Sequence, residues 1–157
     1  MAAGNASPSR ETGIAYLGVL MLVAAMGLML AKASQAWQTR AQREREAELL
    51  FVGDQIRAAI VRYRDSGPVT GLYPKTLAEL VADGRGAFAR HHLRRLYSDP
   101  MTGKALWGEV RGAGGGIVGV YSLGMGRPFK QDGFAEPYRG FAGKEAYRDW
   151  VFVAVYP

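Results

Sequence analysis

The first third of the chain holds a long uncharged run followed by a charged segment without proline, and this combination constrains the fold most. The run Ile14–Ala31 has 18 residues and contains no Asp, Glu, Lys or Arg. About 20 helical residues cross the hydrocarbon layer of a membrane, each adding about 1.5 Å of rise. We therefore expect a hydrophobic helix over residues 14–36 that spans a membrane.

The residues after this run predict that the same helix continues in amphipathic form. No proline occurs between Pro8 and Pro68. Apolar residues recur three and four positions apart, which is the period of one helix face. The resulting helix-packing stripe consists of Leu49, Val52, Ile56, Ile60 and Tyr63. We expect one helix over residues 14–65, ended by the Gly67-Pro68 pair.

The opposite face of this second half is predicted to be charged and solvent-exposed. It carries Arg40, Arg43, Glu44, Arg45, Glu46, Glu48, Arg57 and Arg64. Opposite charges three or four residues apart on a helix attract by a few tenths of a kcal/mol. The predicted pairs are Arg40–Glu44, Arg43–Glu46 and Arg45–Glu48. Gly53 interrupts this segment, and we expect it to weaken the helix by about 1 kcal/mol relative to alanine.

The remainder of the chain has the pattern of a small α+β domain. A short helix is predicted over residues 76–81, capped by Thr76 with Glu79 three residues later. Strands are predicted over residues 105–110, 117–123 and 150–156, and the stretch 124–149 reads as an ordered loop. The expected fold is a long N-terminal helix packed on an antiparallel sheet of three to four strands.

Composition excludes several kinds of chemistry. The chain has no cysteine and only two histidines, His91 and His92, which are adjacent and therefore point in different directions. No nucleophile–base arrangement and no pair of suitably spaced carboxylates stands out, so we predict no enzyme activity, no catalytic residue, no metal and no cofactor. The net charge is +6. A possible anionic-ligand patch consists of Arg85, Arg90, Arg94 and Arg95, for which we favour a solvated surface over binding to nucleic acid.

Several motifs, in this order along the chain, resemble type IV pilin-like proteins, and most of all the major pseudopilins of type II secretion systems. Glu11-Thr12-Gly13 before Ile14-Ala15-Tyr16-Leu17 resembles the prepilin processing site. Leu72-Tyr73-Pro74 with Thr76-Leu77 resembles the motif that follows the long helix in that family. Asp99-Pro100 with Gly103 is similar to the turn before the sheet, and Tyr121-Ser122-Leu123-Gly124 with Trp150 resembles the C-terminal region.

The resemblance implies a structural role. Residues 1–13 would be a leader peptide cut between Gly13 and Ile14, with methylation of the new N-terminus at Ile14. Residues 14–36 would lie in the lipid bilayer of the bacterial inner membrane, as a single pass, and residues 37–157 would form a periplasmic domain. The implied partners are other pilin-like subunits in a homo- or hetero-oligomeric filament, a prepilin peptidase and an inner-membrane assembly platform.

Other assignments remain open at this stage. The N-terminal segment could be a plain anchor, or a secretory signal cut after the Ala31-Lys32-Ala33 pattern. Type II secretion, type IV pili and competence systems all fit the resemblance. The family's usual glutamate corresponds to Gly18 here, so the subunit could be a major or a minor one. The alternative function is an anchored or secreted binding module that uses the basic patch over residues 85–95 for DNA or another anionic ligand.

Overall fold

The structure is a computed structural model that describes residues 11–154, without the side chains of residues 11–15, 30, 31 and 33–36. The described chain is α+β, with one long helix followed by a three-stranded antiparallel sheet. The coarse fold predicted from the sequence is therefore confirmed. The chain divides into two compact units, Met1–Ala41 and Gln42–Pro157.

Helix α1 spans Glu11–Ser66 and contains 56 residues. It begins three residues before the predicted start and ends one residue after the predicted end. Gly67 and Pro68 follow directly, and proline cannot continue a helix because it lacks the backbone N–H. The helix continues through Gly27 and Gly53 without an interruption.

The structure contradicts the predicted membrane span over residues 14–36. Among the residues that the structure describes, no helix is both long enough and apolar enough to cross a membrane. Crossing takes about 20 predominantly apolar residues. The prediction of a single-pass protein of the bacterial inner membrane is therefore wrong.

The second half of α1 supplies one wall of the core. The helix-packing stripe of Leu49, Val52, Ile56, Ile60 and Tyr63 is at most 3% exposed. It belongs to one apolar cluster with residues of the sheet and of the C-terminal segment, among them Ile117, Val120, Tyr147, Trp150 and Phe152. Burial of these large side chains is the main stabilising contribution to the folded part.

The sheet is small. Strand β1 spans Gly108–Arg111, β2 spans Ile117–Tyr121 and β3 spans Phe152–Val153. The order is β1-β2-β3, with both pairs antiparallel. All three strands are shorter than predicted, and residues 155 and 156 of the third predicted strand lie outside the described residues.

Short 3-10 helices and an aromatic cluster fill the space between these elements. The 3-10 helices span Leu77–Leu80, Arg139–Phe141 and Tyr147–Asp149. Thr76 precedes the first of them but makes no side-chain cap to the backbone. Aromatic rings of the C-terminal segment contact one another at centroid distances of 5.1–5.8 Å. They belong to Phe134, Tyr138, Phe141, Tyr147, Trp150 and Phe152.

Gly53 is a packing requirement. A Cβ atom placed on Gly53 would lie 2.5 Å from carbons of the Phe152 ring. Real Cβ atoms do not approach so closely, so the missing side chain lets the ring of β3 pack against the backbone of α1. The sequence-based view of Gly53 as a weak point in the helix considered helix propensity alone and omitted this contact.

We predict that Gly53→Ala destabilises the folded part, by about 1–3 kcal/mol, because overpacking of the core outweighs the gain of about 1 kcal/mol in helix propensity. Urea unfolding followed by circular dichroism measures the change. Gly27→Ala is the control, since a Cβ at Gly27 meets nothing within 4 Å. A Gly53→Ala protein that is more stable than wild type would contradict the packing role.

Candidate functional site

The first half of α1 presents apolar side chains on all sides. Ten large apolar side chains between Tyr16 and Met29 are 47–72% exposed. They are Tyr16, Leu17, Val19, Leu20, Met21, Leu22, Val23, Met26, Leu28 and Met29. Soluble monomers rarely expose contiguous apolar patches of this kind, and such patches mark interaction surfaces.

The predicted processing site lies at the beginning of this helix. Gly13 and Ile14 fall in its first turn, and their side chains are outside the described ones. Residues 1–10 of the predicted leader also lie outside the described residues.

A buried carboxylate ties the second half of α1 to the C-terminal loop. Glu46 is 2% exposed, although the sequence placed it on the charged outer face. It accepts hydrogen bonds from the backbone N–H groups of Phe129 at 2.6 Å and Lys130 at 3.0 Å, and from the Tyr147 hydroxyl at 2.7 Å. Gln42 Nε2 donates to the same hydroxyl at 2.8 Å. Three donors thus compensate the desolvation of one carboxylate.

A second tie lies two helical turns further along α1. The Asp54 carboxylate accepts from Arg57 Nη2 at 2.8 Å and also from the Tyr138 hydroxyl. Arg57 Nε donates to the Tyr138 hydroxyl at 2.9 Å. Burial and the hydrogen bond to Asp54 raise the pKa of Tyr138. This tie holds the segment before the 3-10 helix Arg139–Phe141 against α1.

A third tie lies near the C-terminal end of α1. The Tyr63 hydroxyl donates to Glu79 Oε2 at 2.7 Å, and the Arg85 guanidinium stacks 3.4 Å from the centre of the Tyr63 ring. Burial and the hydrogen bond to Glu79 raise the pKa of Tyr63 to about 12. Glu79 also accepts from the Lys75 backbone N–H at 3.2 Å, so it anchors the loop that precedes its own 3-10 helix.

The basic patch predicted over residues 85–95 is not a uniform exposed surface. Arg85 donates to the buried Asp83 at 2.8 Å and to the Tyr63 carbonyl at 2.6 Å. Its hydrogen bond lowers the pKa of Asp83 well below the ordinary value. Arg90 donates to the Ser66 carbonyl. Only Arg94 and Arg95 of the four are exposed without a hydrogen bond to the described residues.

His92 belongs to the same buried cluster. Its Nε2 lies 3.0 Å from Asp83 Oδ2, and its ring meets Tyr63 edge-on at 5.6 Å. Arg62 donates to the backbone carbonyl of His92 at 2.8 Å. Packing and hydrogen bonding thus account for the buried position of the His92 side chain.

A buried aspartate organises the turn before the sheet. Asp99 is 0% exposed and accepts from the Met101 and Leu123 backbone N–H groups at 2.9 and 3.1 Å. The Ser122 hydroxyl donates to the same carboxylate at 2.9 Å. The carboxylate therefore joins the turn to the end of β2. Among the described residues, no three His, Asp or Glu side chains converge as a metal site would require.

The outer face of α1 contains charges that lack the predicted partners. No ion pair forms among Arg40, Glu44, Arg43, Glu46, Arg45 and Glu48 within the described part of the chain. Glu46 is turned to the core, which removes the pair with Arg43. The intrahelical pairs predicted from spacing are therefore absent from this face.

A groove of about 480 Å³ lies beside these charges, between α1 and the loop around Phe129. We name it the Phe129 groove; its lining residues are Arg43, Glu46, Ala47, Leu50, Phe129, Lys130, Gln131 and Asp132. Phe129 is 50% exposed. The lining combines apolar residues with side chains of both charges, and the volume is typical of sites that bind other molecules.

Comparison with known proteins identifies no relative: the chain matches no protein-family model, no curated protein and no solved structure.

The burial of Glu46 could have been predicted from its spacing along the helix, although its charge suggests an exposed side chain. Glu46 precedes Leu49 by three residues and is in phase with the helix-packing stripe. A carboxylate in phase with an apolar stripe indicates a buried acceptor whose donors come from elsewhere in the chain. The donors could not be identified, because they lie more than 80 residues away in a segment without regular structure.

We predict that Glu46→Gln weakens the hold on the C-terminal loop, because a neutral amide is a poorer acceptor than a carboxylate for three donors. Amide hydrogen exchange at Phe129 and Lys130 should accelerate by about tenfold, which corresponds to about 1.4 kcal/mol of lost local stability. Glu48→Gln, an exposed change one half-turn away, is the matched control. Equal exchange in both variants would contradict this role of Glu46.

Alkaline pH should destabilise the folded part. Burial and the hydrogen bond to Glu46 raise the pKa of Tyr147 to about 12, as burial and Glu79 do for Tyr63. A raised pKa means that folding favours the protonated phenol. The contribution of each protonated phenol to the free energy of unfolding is therefore complete below the ordinary pKa of about 10. It is lost as the pH rises through about 12.

Urea midpoints measured from pH 9 to pH 12 with tyrosinate absorbance test this expectation. The double change Tyr63→Phe and Tyr147→Phe should flatten the pH dependence between about pH 10 and 12, at the cost of lower stability at neutral pH. Tyr16→Phe is the control, since Tyr16 is 69% exposed. A slope unchanged by the double substitution would exclude these two phenols as its source.

Proposed function

We propose that the chain is a structural subunit of a pilus-like filament, a pilin-like protein that acts in type II secretion or in a related type IV pilus system. The observation that supports this most is the first half of α1, where ten large apolar side chains are 47–72% exposed between Tyr16 and Met29. Apolar surface of this extent is stabilised when another surface covers it. We propose that the same segment of other copies provides that cover.

The order of the elements supports the same proposal. The apolar segment belongs to the helix whose second half forms a wall of the core in Gln42–Pro157. Each copy thus joins an assembly segment to a folded part through helical backbone. The three polar ties at Glu46, Asp54 and Tyr63 hold loops of the folded part against α1 and make a mechanical scaffold stiffer.

The expected partners follow from this role. Other copies of the chain, or related subunits with a similar apolar helix, pair with the segment 16–29. A prepilin peptidase cuts between Gly13 and Ile14, and an assembly platform adds subunits to the filament. No enzyme activity is part of this proposal, because the buried polar groups described above are engaged with one another or with backbone groups.

Electron microscopy of the full chain tests the proposal, with Met21→Glu as the informative variant. Met21 is 68% exposed within the apolar segment, so a carboxylate there would be buried between copies without a partner. We expect wild type to form filaments and Met21→Glu to form none, with an unchanged urea midpoint for the folded part. Met125→Glu, at a loop position that is 96% exposed, is the matched control and should form filaments.

The proposal would be contradicted if Met21→Glu formed filaments as Met125→Glu does. It would also be contradicted if wild type and both variants formed no filaments. Mass spectrometry of the protein isolated from its host tests processing in the same material. We expect a mature chain that begins at Ile14. A chain that begins at Ser34 would lack the whole apolar segment and would exclude a filament subunit of this kind.

A further inference from the structure

Three of the six methionines of the chain lie in the apolar segment of α1. They are Met21, Met26 and Met29, with exposed fractions of 68%, 55% and 72%. We name these three residues the methionine face. Successive helical residues are rotated by about 100°, so the three side chains lie within an arc of about 140° on one side of the helix. The opposite side of the segment carries Leu20 and Val23 instead.

Methionine is the residue of this segment that a mild oxidant changes most readily. The chain has no cysteine, and the segment 16–29 otherwise consists of aliphatic residues, glycines and Tyr16. Oxidation to methionine sulfoxide turns a flexible apolar side chain into a polar one and disrupts surfaces that are rich in methionine. The reaction requires access of the oxidant to the sulfur, and the exposed fractions of the methionine face provide that access.

A sulfoxide on the methionine face is incompatible with the contact between copies that the proposed function requires. A thioether is apolar and can be buried in that contact, whereas a sulfoxide oxygen needs a hydrogen-bond donor when it is buried. The segment 16–29 has no side-chain donor apart from the Tyr16 hydroxyl. Backbone N–H groups inside a helix already donate to carbonyls four residues earlier. A buried sulfoxide would therefore remain without a partner.

We propose that the methionine face is an oxidation site that controls assembly: hydrogen peroxide converts these thioethers to sulfoxides in the free subunit, and the oxidised subunit no longer joins a filament. At each sulfur, an S–O bond forms as the O–O bond of the peroxide breaks. The sulfur loses two electrons and the peroxide gains them, and the second peroxide oxygen leaves as water with both hydrogens. This inference rests on the proposed function and adds a regulation of the same surface.

Two methionines of the folded part are internal controls. Met125 is 96% exposed in the loop that follows β2, so it should oxidise equally in free and in assembled chains. Met101 is partly buried and packs against the core, so it should react more slowly while the folded part stays intact. A filament should therefore protect the methionine face and leave Met125 reactive. This contrast separates cover by other copies from a general loss of reactivity.

Peroxide treatment of the full-length chain tests the inference. One sample is treated with hydrogen peroxide before assembly and another after assembly, and peptide mass spectrometry measures the sulfoxide at each methionine. We expect chains treated before assembly to form at least about tenfold less filament by sedimentation and electron microscopy, with an unchanged urea midpoint for the folded part. In the sample treated after assembly, the methionine face should be at least about tenfold less oxidised than Met125.

Substitution separates the methionine face from the other sulfurs. The variant M21L/M26L/M29L preserves the size and the apolar character of the side chains, so it should assemble after peroxide treatment as well as before it. M125L is the matched control and should lose assembly on oxidation as wild type does. If the triple variant assembles poorly without peroxide, repair of oxidised wild type replaces it as the test. Methionine sulfoxide reductase with a thiol reductant should then restore assembly.

The results that overturn the inference differ from those that overturn the proposed function. Chains with sulfoxides at all three positions of the methionine face that assemble like untreated chains would exclude control by oxidation and leave the proposed function in place. The inference would also be excluded by a loss of assembly that M125L prevents, that accompanies a lower urea midpoint, or that the reductase does not reverse. An untreated wild-type chain that forms no filaments would overturn the proposed function together with this inference.

Discussion

The structure depends on covering one face of a single helix with a domain that has very little sheet. The three strands contain four, five and two residues. So small a sheet cannot bury the helix-packing stripe alone, and irregular segments complete the core. Backbone N–H groups in such segments lack ladder partners and need acceptors from elsewhere. Helix α1 provides the main one, since the Glu46 carboxylate binds two consecutive N–H groups of the C-terminal loop.

The three polar ties hold irregular segments of the chain against α1 at three points along the helix. Glu46, Asp54 and Tyr63 are eight and nine residues apart, or about 12–14 Å at the helical rise. Each holds a different part of the chain, namely the loop at Phe129, the loop at Tyr138 and the segment around Glu79. A tyrosine hydroxyl takes part in all three. The pKa values of these three phenols are therefore raised by one cause, which is burial of a hydroxyl against a carboxylate.

The sequence predicted those features that depend on local periodicity. The helix, the approximate strand positions and the α+β class follow from spacings of three, four and two residues. Features that depend on distant contacts could not be predicted. Gly53 looked unfavourable because its contact with Phe152 is 99 residues away in the chain, and Glu46 looked exposed because its donors lie in an irregular loop. The apolar run suggested a membrane span because 18 uncharged residues are within the range of spanning helices, whereas no described helix of the structure meets that requirement.

The outer face of α1 repeats the period of its inner face. Glu44, Ala47, Phe51, Gln55, Ala58 and Arg62 follow one another at spacings of three and four residues, as the residues of the helix-packing stripe do. The inner stripe is covered by the chain itself, and its large aliphatic side chains suit a dry core. The outer stripe mixes small, aromatic, amide and charged side chains, and Arg62 within it donates to the His92 carbonyl of the same chain. One helix thus carries two faces of the same period, and the polarity of each face determines which of them packs into the apolar core.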